Sequence, residues 1–246
     1  MKNFYLSIII PAYNEENRIV NSLDELKKFI DESNYNCEII IVDDGSKDRT
    51  IQVVHDFFSN NNLLNIYTLI ENKTNKGKGF AVRKGLEKAS GEFILFTDAD
   101  FSTPINECKK MIEILKQGYD IVIGSRALKD SNLIKRQNII RMSMGKFFNL
   151  MVKLITKLEF NDTQCGFKIF TKDSKTKLLP YLKIDDFSFD VEILYVAKKL
   201  NLKIKEIPVS WTNSPNSKVK IIKDSLKMFR SLIKIRNLHV QTLRKF

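Results

Sequence analysis

Gly91–Pro104 reads GEFILFTDADFSTP, and its first half is an apolar run that ends on Asp98 and Asp100 with only Ala99 between them. A short continuous apolar run suits a strand covered on both faces. Such a strand has no packing reason to finish on two carboxylates. At the end of a strand turning into a loop, acids at i and i+2 can converge on a hard divalent cation. Mg2+ and Mn2+ prefer oxygen ligands and bridge phosphates. A D-x-D triplet alone is a weak signal, and its position at a strand end gives it weight.

The same punctuation recurs on either side. LSIIIPAYNE (6–15) is a strand stopped by Pro11, followed by a helix expected from about Asn14 to Ile30. CEIIIVDDGS (37–46) is a second strand ending in acids, and NIYTLIEN (65–72) a weaker third. A Gly-punctuated loop enters a short helix before EFILFTDAD, and INECKKMIEILKQG reads as a helix before the strand YDIVIGSRA. Strands alternating with helices predict an α/β fold, a mainly parallel, Rossmann-like sheet with helices on both faces. In such sheets ligands bind beyond the carboxyl ends of the strands. Asn14 and Glu15, Asp43 and Asp44, Asp98 and Asp100, and Ser125 and Arg126 all follow apolar runs, so they describe one cleft. After Arg126 the alternation breaks, with a loop and strand in DTQCGFKIF, a helix in FDVEILYVAKKL and a strand in KIKEIPVSW. No linker or repeat divides the chain, so one catalytic domain over 1–246 is expected.

The strand-end residues suggest individual roles. Asp43-Asp44-Gly45-Ser46 reads either as a turn and helix cap or as a carboxylate accepting from a nucleobase N–H or a ribose hydroxyl. No G-x-G-x-x-G follows the first strand, which sets a nicotinamide cofactor aside. NKGKG (75–79) offers backbone N–H groups and two lysines at a helix start, suited to an anion. It lacks Walker spacing. The planar fork of Arg126 suits a diphosphate or a lipid phosphate.

Taken together, IIIPAYNEE, IIIVDDGSKDRT, NKGKGFAVRKGLEKASGEFILFTDAD, VIGSRA, DTQCGFKIF, FSFDVEILYVAKK and IPVSW…NSK resemble the GT-A-fold, family-two inverting glycosyltransferases. Within them the likeness is to the polyprenyl-phosphate sugar synthases. DTQCGFK with FDVEILYVA looks more like the dolichyl-phosphate β-glucosyltransferases than the mannosyl-phosphate synthases. The resemblance implies transfer of a hexose, glucose, from a nucleotide sugar, UDP-glucose, to dolichyl or polyprenyl phosphate with inversion. GDP-mannose as donor, or a soluble saccharide acceptor, is the alternative. It also implies Pro11, Tyr13, Glu15, Asp43 and Asp44 around the nucleotide and Lys78 near the phosphates. Asp98, Ala99 and Asp100 would hold the diphosphate through Mg2+ or Mn2+, and Arg126 and Lys218 would meet phosphates. Asp162, Gln164 and Asp190 would line the sugar and acceptor side, with Asp162 or Asp190 as base if one is needed.

Charge bears on the acceptor. The chain of 246 residues has a formal net charge of +12. Lys129–Phe160 carries seven Lys/Arg against two acids and Asn216–Phe246 nine against one, so the rest is close to neutral. Both segments place apolar residues at helical spacing: Met144, Phe147, Phe148, Met151, Leu154, Ile155 and Leu158, then Ile222, Leu226, Phe229 and Ile233. Basic amphipathic helices suit an anionic membrane surface, while the plainer reading is core packing with lysines in water. No recognition motif for nucleic acid is present. A sugar-nucleotide pyrophosphorylase would open with a Gly-rich, Arg-bearing loop where this chain has PAYNEE. Three cysteines without a C-x-x-C pair point to a reducing compartment. No apolar run reaches the roughly 18 residues of a spanning helix. The expectation is a cytoplasmic protein held peripherally on the cytoplasmic face of a membrane. Asn213–Lys218 is expected to be a loop that closes over the donor.

Overall fold

The two most apolar runs, β1 (Leu6–Ala12) and β2 (Cys37–Asp43), are buried along their whole length. In the computed structural model, which describes residues 3–135, 139–212 and 221–242, they are neighbours in a seven-stranded sheet. With β3 (Tyr67–Glu71), β4 (Phe93–Thr97), β5 (Ile121–Ser125), β7 (Phe167–Thr171) and β8 (Ile204–Pro208), the order is β3-β2-β1-β4-β7-β5-β8. Only β7 runs against its neighbours β4 and β5; the other pairings are parallel. A second ribbon pairs β6 (Leu133–Lys135) with β9 (Trp211–Thr212). KIKEIPVSW is thus two strands, and Pro208, with no N–H for a ladder, ends the first.

Successive side chains of a strand point to opposite faces, and β1 divides its isoleucines accordingly. Ile8 and Ile10 join one core with α1 (Ile19–Glu32), α2 (Thr50–Asn60) and α4 (Glu107–Lys116). Ile9 joins the other, with α3 (Lys78–Lys88), α7 (Phe189–Lys199), α5 (Ile139–Thr156) and α8 (Ile221–Thr242). The short α6 (Lys172–Leu178) follows β7.

Helix α1 starts at Ile19, later than the expected Asn14. Asn14 has φ +52°, in the left-handed region that α-helix excludes. The amides of Asn14, Glu15 and Glu16 donate to Ser46 Oγ, Thr50 Oγ1 and Asp48 Oδ2 instead of starting a helix.

The basic segments are helical in α5 and α8, which pack on one another. Val152, Leu232 and Ile235 belong to the core, and Phe148, Met151 and Ile155 pack against it. Phe147 (65% exposed), Leu150 (52%) and Leu154 (65%) face outward on α5, as do Phe229 and Ile233 on α8. The apolar residues therefore divide between two faces, one packed in the core and one turned outward. Among the described residues, no helix is long and apolar enough to cross a membrane.

Candidate active site

Because β1, β2, β4 and β5 are parallel, their carboxyl ends share one edge of the sheet. Antiparallel β7 begins where they finish, with Phe167 opposite Thr97, so the segment Asp162–Gly166 arrives at the same edge. A cleft of about 400 Å³ opens there. Pro11, Ala12, Tyr13, Glu15 and Arg18 line it from the end of β1, and Asp98, Ala99 and Asp100 from the end of β4. Asp44, Asn75, Gly77, Lys78 and Ala81 form another wall. Asp186, Phe187, Lys227 and Met228 complete it, the last two from α8.

Asp98 is fitted tightly. A Cβ on Gly166 would lie 2.1 Å from Asp98 Oδ2 and 2.3 Å from its Cγ, so only glycine leaves the carboxylate its room. Lys78 Nζ stands 2.5 Å from Asp98 Oδ1. Burial works against the Lys78 charge, but Asp98 and Asp190 outweigh it and raise its pKa above the ordinary lysine value. Asp100 accepts from the Ser102 amide (3.1 Å) and meets Arg18 Nη1 at 3.4 Å. Arg18 is the residue that sequence reading missed. Its Nε and Nη2 donate to both oxygens of Glu15 at 2.6 Å, so it ties the β1 corner to the β4 corner. The Glu15–Arg18 spacing of three was the available signal.

Asp43 and Asp44 divide the turn and loop between them. Asp43 accepts from the amides of Gly45 and Ser46, as the turn reading expected. Asp44 accepts from Asn72 Nδ2 and from the amides of Lys76 and Gly77, at 2.7 to 2.9 Å. Three of the five NKGKG amides are therefore committed within the protein, those of Lys76 and Gly77 to Asp44 and that of Gly79 to the Asp185 carbonyl. Those three amides are not available to an anion. The glycines serve close packing: a Cβ on Gly77 (φ +108°) would lie 2.3 Å from the Asp185 carbonyl oxygen, and one on Gly79 2.4 Å from that of Ile184. Only Lys78 of this loop turns its charge to the Asp98 carboxylate.

Arg126, Asp162, Gln164 and Asp190 each bond within the protein and are not among the residues lining the cleft. Arg126 grips Asp162 through Nε (2.7 Å), Nη2 (3.0 Å) and its backbone amide (3.0 Å), and its guanidinium lies 5.6 Å from the Trp211 ring centre. Burial pushes Asp162 up, but the Arg126 charge and hydrogen bonds prevail and hold its pKa below the ordinary 3.8. Asp190, at the start of α7, is ion-paired with Lys168, a fully buried lysine of β7 that also donates to the Cys165 carbonyl. Burial pushes Asp190 above the ordinary carboxylate value, with Lys168 and Lys78 pulling against it. Gln164 Nε2 donates to the Phe187 carbonyl at 3.4 Å. Arg126 thus turns Nε and Nη2 to the Asp162 carboxylate. Lys218, with the Asn213–Lys218 loop, lies outside the described residues.

Helix α8 reaches the cleft through two long-range bonds. Ser231 Oγ donates to Asp186 Oδ2 at 2.7 Å, and His239 Nε2 lies 2.8 Å from Glu192 Oε1 on α7. Glu192 also accepts from the amides of Lys183 and Ile184, so the same carboxylate fixes the loop that carries Asp186 and Phe187.

The cleft lies where an α/β sheet of this kind binds ligands, beyond the carboxyl ends of its strands, with paired acids on one wall. The chain belongs to glycosyl transferase family 2, whose model matches residues 7–178, and is a glycosyltransferase. It is 38% identical over 244 residues to a dolichyl-phosphate beta-glucosyltransferase of Dictyostelium discoideum, covering 95% of this chain and 74% of that one. A human protein of the same description is 32% identical, with 94% and 74% covered. Among solved structures, the glucosyl-3-phosphoglycerate synthase of Mycobacterium tuberculosis in complex with Mn2+ and UDP-glucose shares the fold. Its TM-score is 0.66 at 16% identity, over 94% of this chain and 77% of that one.

Proposed function

We propose that the protein transfers glucose from UDP-glucose to dolichyl or another polyprenyl phosphate, with inversion at the anomeric carbon. The observation that carries this reading is a cleft with strand-end carboxylates on one wall and a basic helix, α8, on another. The names of its relatives support the sugar and the lipid.

The donor set fits Mg2+ or Mn2+. Asp98 and Asp100 are hard oxygen ligands lining one cleft, and the space for Asp98 exists only because residue 166 is glycine. Among the described residues no group of three or more His, Cys, Asp or Glu gathers to hold a metal. That suits a cation bound by one or two carboxylates, with substrate phosphate and water completing its shell. Bound there, it would stabilise negative charge on the departing diphosphate. Lys78, kept protonated by its neighbours, adds a fixed positive charge on the same side, and Arg18 keeps Glu15 and Asp100 in register. Pro11, Tyr13 and Asp44 line the same cleft and would meet the nucleotide.

The nucleophile needs little help. A phosphate monoester has its second pKa at about 6, so it reaches the cleft largely dianionic at neutral pH. Its oxygen forms the bond to the anomeric carbon as the bond to the diphosphate breaks, and no proton has to move. Asp162 and Asp190, the two candidate bases, are both ion-paired, with Arg126 and Lys168, which agrees with chemistry that requires no base.

The lipid acceptor explains the outward faces of α5 and α8. Phe147, Leu150 and Leu154 beside basic side chains suit insertion at an anionic cytoplasmic membrane face. The decisive assay incubates purified protein with UDP-glucose or GDP-mannose, a short-chain isoprenyl phosphate, and either Mn2+ or excess chelator. Glucosyl lipid phosphate should form with UDP-glucose and stop in chelator. Turnover of GDP-mannose alone, transfer only to a soluble saccharide, or full activity in chelator would each refute the corresponding part.

A further inference from the structure

The cleft is poor in available positive charge. Five carboxylates line it, those of Glu15, Asp44, Asp98, Asp100 and Asp186, against three cations, Arg18, Lys78 and Lys227. Arg18 is held by Glu15 and Asp100, and Lys78 by Asp98. Arg126, the cation that sequence reading offered for a phosphate, is closed on Asp162. Among the described residues, Lys227 is the one cleft cation without an ion-pair partner, and it is exposed. The nearest reason to expect it paired would be Asp186, but that carboxylate already accepts from the Ser188 amide (2.8 Å) and from Ser231 Oγ (2.7 Å).

We propose that Lys227 receives the phosphate of the acceptor at the mouth of the cleft. This rests on the lipid-phosphate reading above. A lysine ammonium meets a phosphate as a mobile point charge, a useful property for a group that must admit one substrate and release a bulkier product. Its place in the fold adds a route. Lys227, Arg230 and Lys234 recur at i, i+3 and i+7 on one flank of α8, next to the flank that exposes Phe229 and Ile233. A phosphate arriving at an apolar, membrane-facing helix therefore meets a row of cations whose first member lies in the cleft. The bonds from Ser231 and His239 hold that helix in place against the site. Lys227 is thus the residue at which the membrane-facing surface and the sugar-transfer cleft become one site.

The phosphate on Lys227 has two conceivable owners, acceptor and donor, and the test separates them. Lys227→Gln and Lys227→Arg are compared with wild type using a ten-carbon isoprenyl phosphate free in solution, so that membrane binding plays no part. Calorimetry with Mn2+ and UDP-glucose measures donor affinity separately, and a thermal melt controls for folding. Lys227→Gln should raise the acceptor KM by about tenfold, the loss of one charge-assisted contact. Donor Kd and melting temperature should be unchanged, and Lys227→Arg should recover most of the acceptor affinity. An unchanged acceptor KM overturns the assignment, and so does an equal rise in donor Kd, which would give Lys227 to the diphosphate. A wild-type protein that binds donor but glucosylates no isoprenyl phosphate overturns the functional reading itself, a result distinct from a silent Lys227 variant.

Discussion

Replacing Gly166 with alanine tests the carboxylate pair without removing a carboxylate. The added Cβ would lie 2.1, 2.3 and 2.4 Å from Asp98 Oδ2, Cγ and Oδ1, so no small rotation clears all three atoms. Ordinary van der Waals contact needs more than 3 Å, so the carboxylate must retreat by about 1 Å or change rotamer. Either movement disturbs its 2.5 Å contact with Lys78 Nζ. The backbone has no such difficulty, since φ at Gly166 is outside the left-handed region. Misplacing a group by about 1 Å at a reacting centre costs on the order of 100-fold in rate. The variant should therefore fold, keep its melting temperature within a few degrees, and lose about 100-fold in kcat/KM, with a higher metal concentration needed for half-maximal rate. Initial rates over an Mn2+ titration, beside a thermal melt, provide the check. A folded Gly166→Ala protein with wild-type rate and metal dependence would show that the position of Asp98 is irrelevant to turnover, and the diphosphate role would fall.

Asp162→Asn should act on stability: it leaves Arg126 facing an amide and costs about 2 kcal/mol, or about 4–8 °C in melting temperature for a chain of this size. Because the folded pKa of Asp162 lies below its ordinary 3.8, its contribution is complete above that value and lost as pH falls through the folded pKa. The gap between wild type and variant should thus persist from pH 7 to about pH 4 and close below, and a gap constant down to about pH 2 would contradict the ion-pair account. Phe147, Leu150 and Leu154 changed together to serine should lower partition onto anionic vesicles on the order of 100-fold at every salt concentration, at about 1 kcal/mol per partly inserted side chain. If folded wild-type protein floats with neither anionic nor neutral vesicles, the membrane-surface role is wrong.

Where the sequence was legible, the cause was local. Phe93–Thr97 is buried at each position, and a run so apolar before two acids admits few other readings. Helix α1 was placed five residues early because what ends the preceding loop is remote: Ser46, Asp48 and Thr50 take the amides of Asn14–Glu16 across more than thirty residues of chain. NKGKG looked like an anion cradle for the same reason, since its acceptors, Asp44 and the Asp185 carbonyl, are far away in sequence. Helical spacing showed that α5 is amphipathic, but it could not divide Phe147 from Phe148. The division depends on what the helix packs against: Phe148 meets the core and Phe147 meets solvent. Lys227 had no local signature at all, because its place in the cleft depends on Ser231 reaching Asp186 and His239 reaching Glu192.

The single antiparallel strand accounts for much of the site's electrostatics. A parallel strand between β4 and β5 would begin at the opposite edge and send its preceding loop away from the cleft. As β7 runs, Asp162–Gly166 lies behind Asp98, and Lys168 enters the core one residue after Phe167 pairs with Thr97. The Arg126–Asp162 and Lys168–Asp190 pairs follow from that placement, each a buried or half-buried charge compensated at short range. Breaking either would leave an uncompensated charge, at a cost of several kcal/mol for the fully buried one. With those charges cancelled, the field in the cleft is set by the groups that line it: the carboxylates of Glu15, Asp44, Asp98, Asp100 and Asp186, with Arg18, Lys78 and Lys227. In the proposed reaction a metal-bound diphosphate would meet Asp98 and Asp100, and an incoming phosphate would meet Lys227. Each anion of that reaction would then have its own counter-charge within the one cleft.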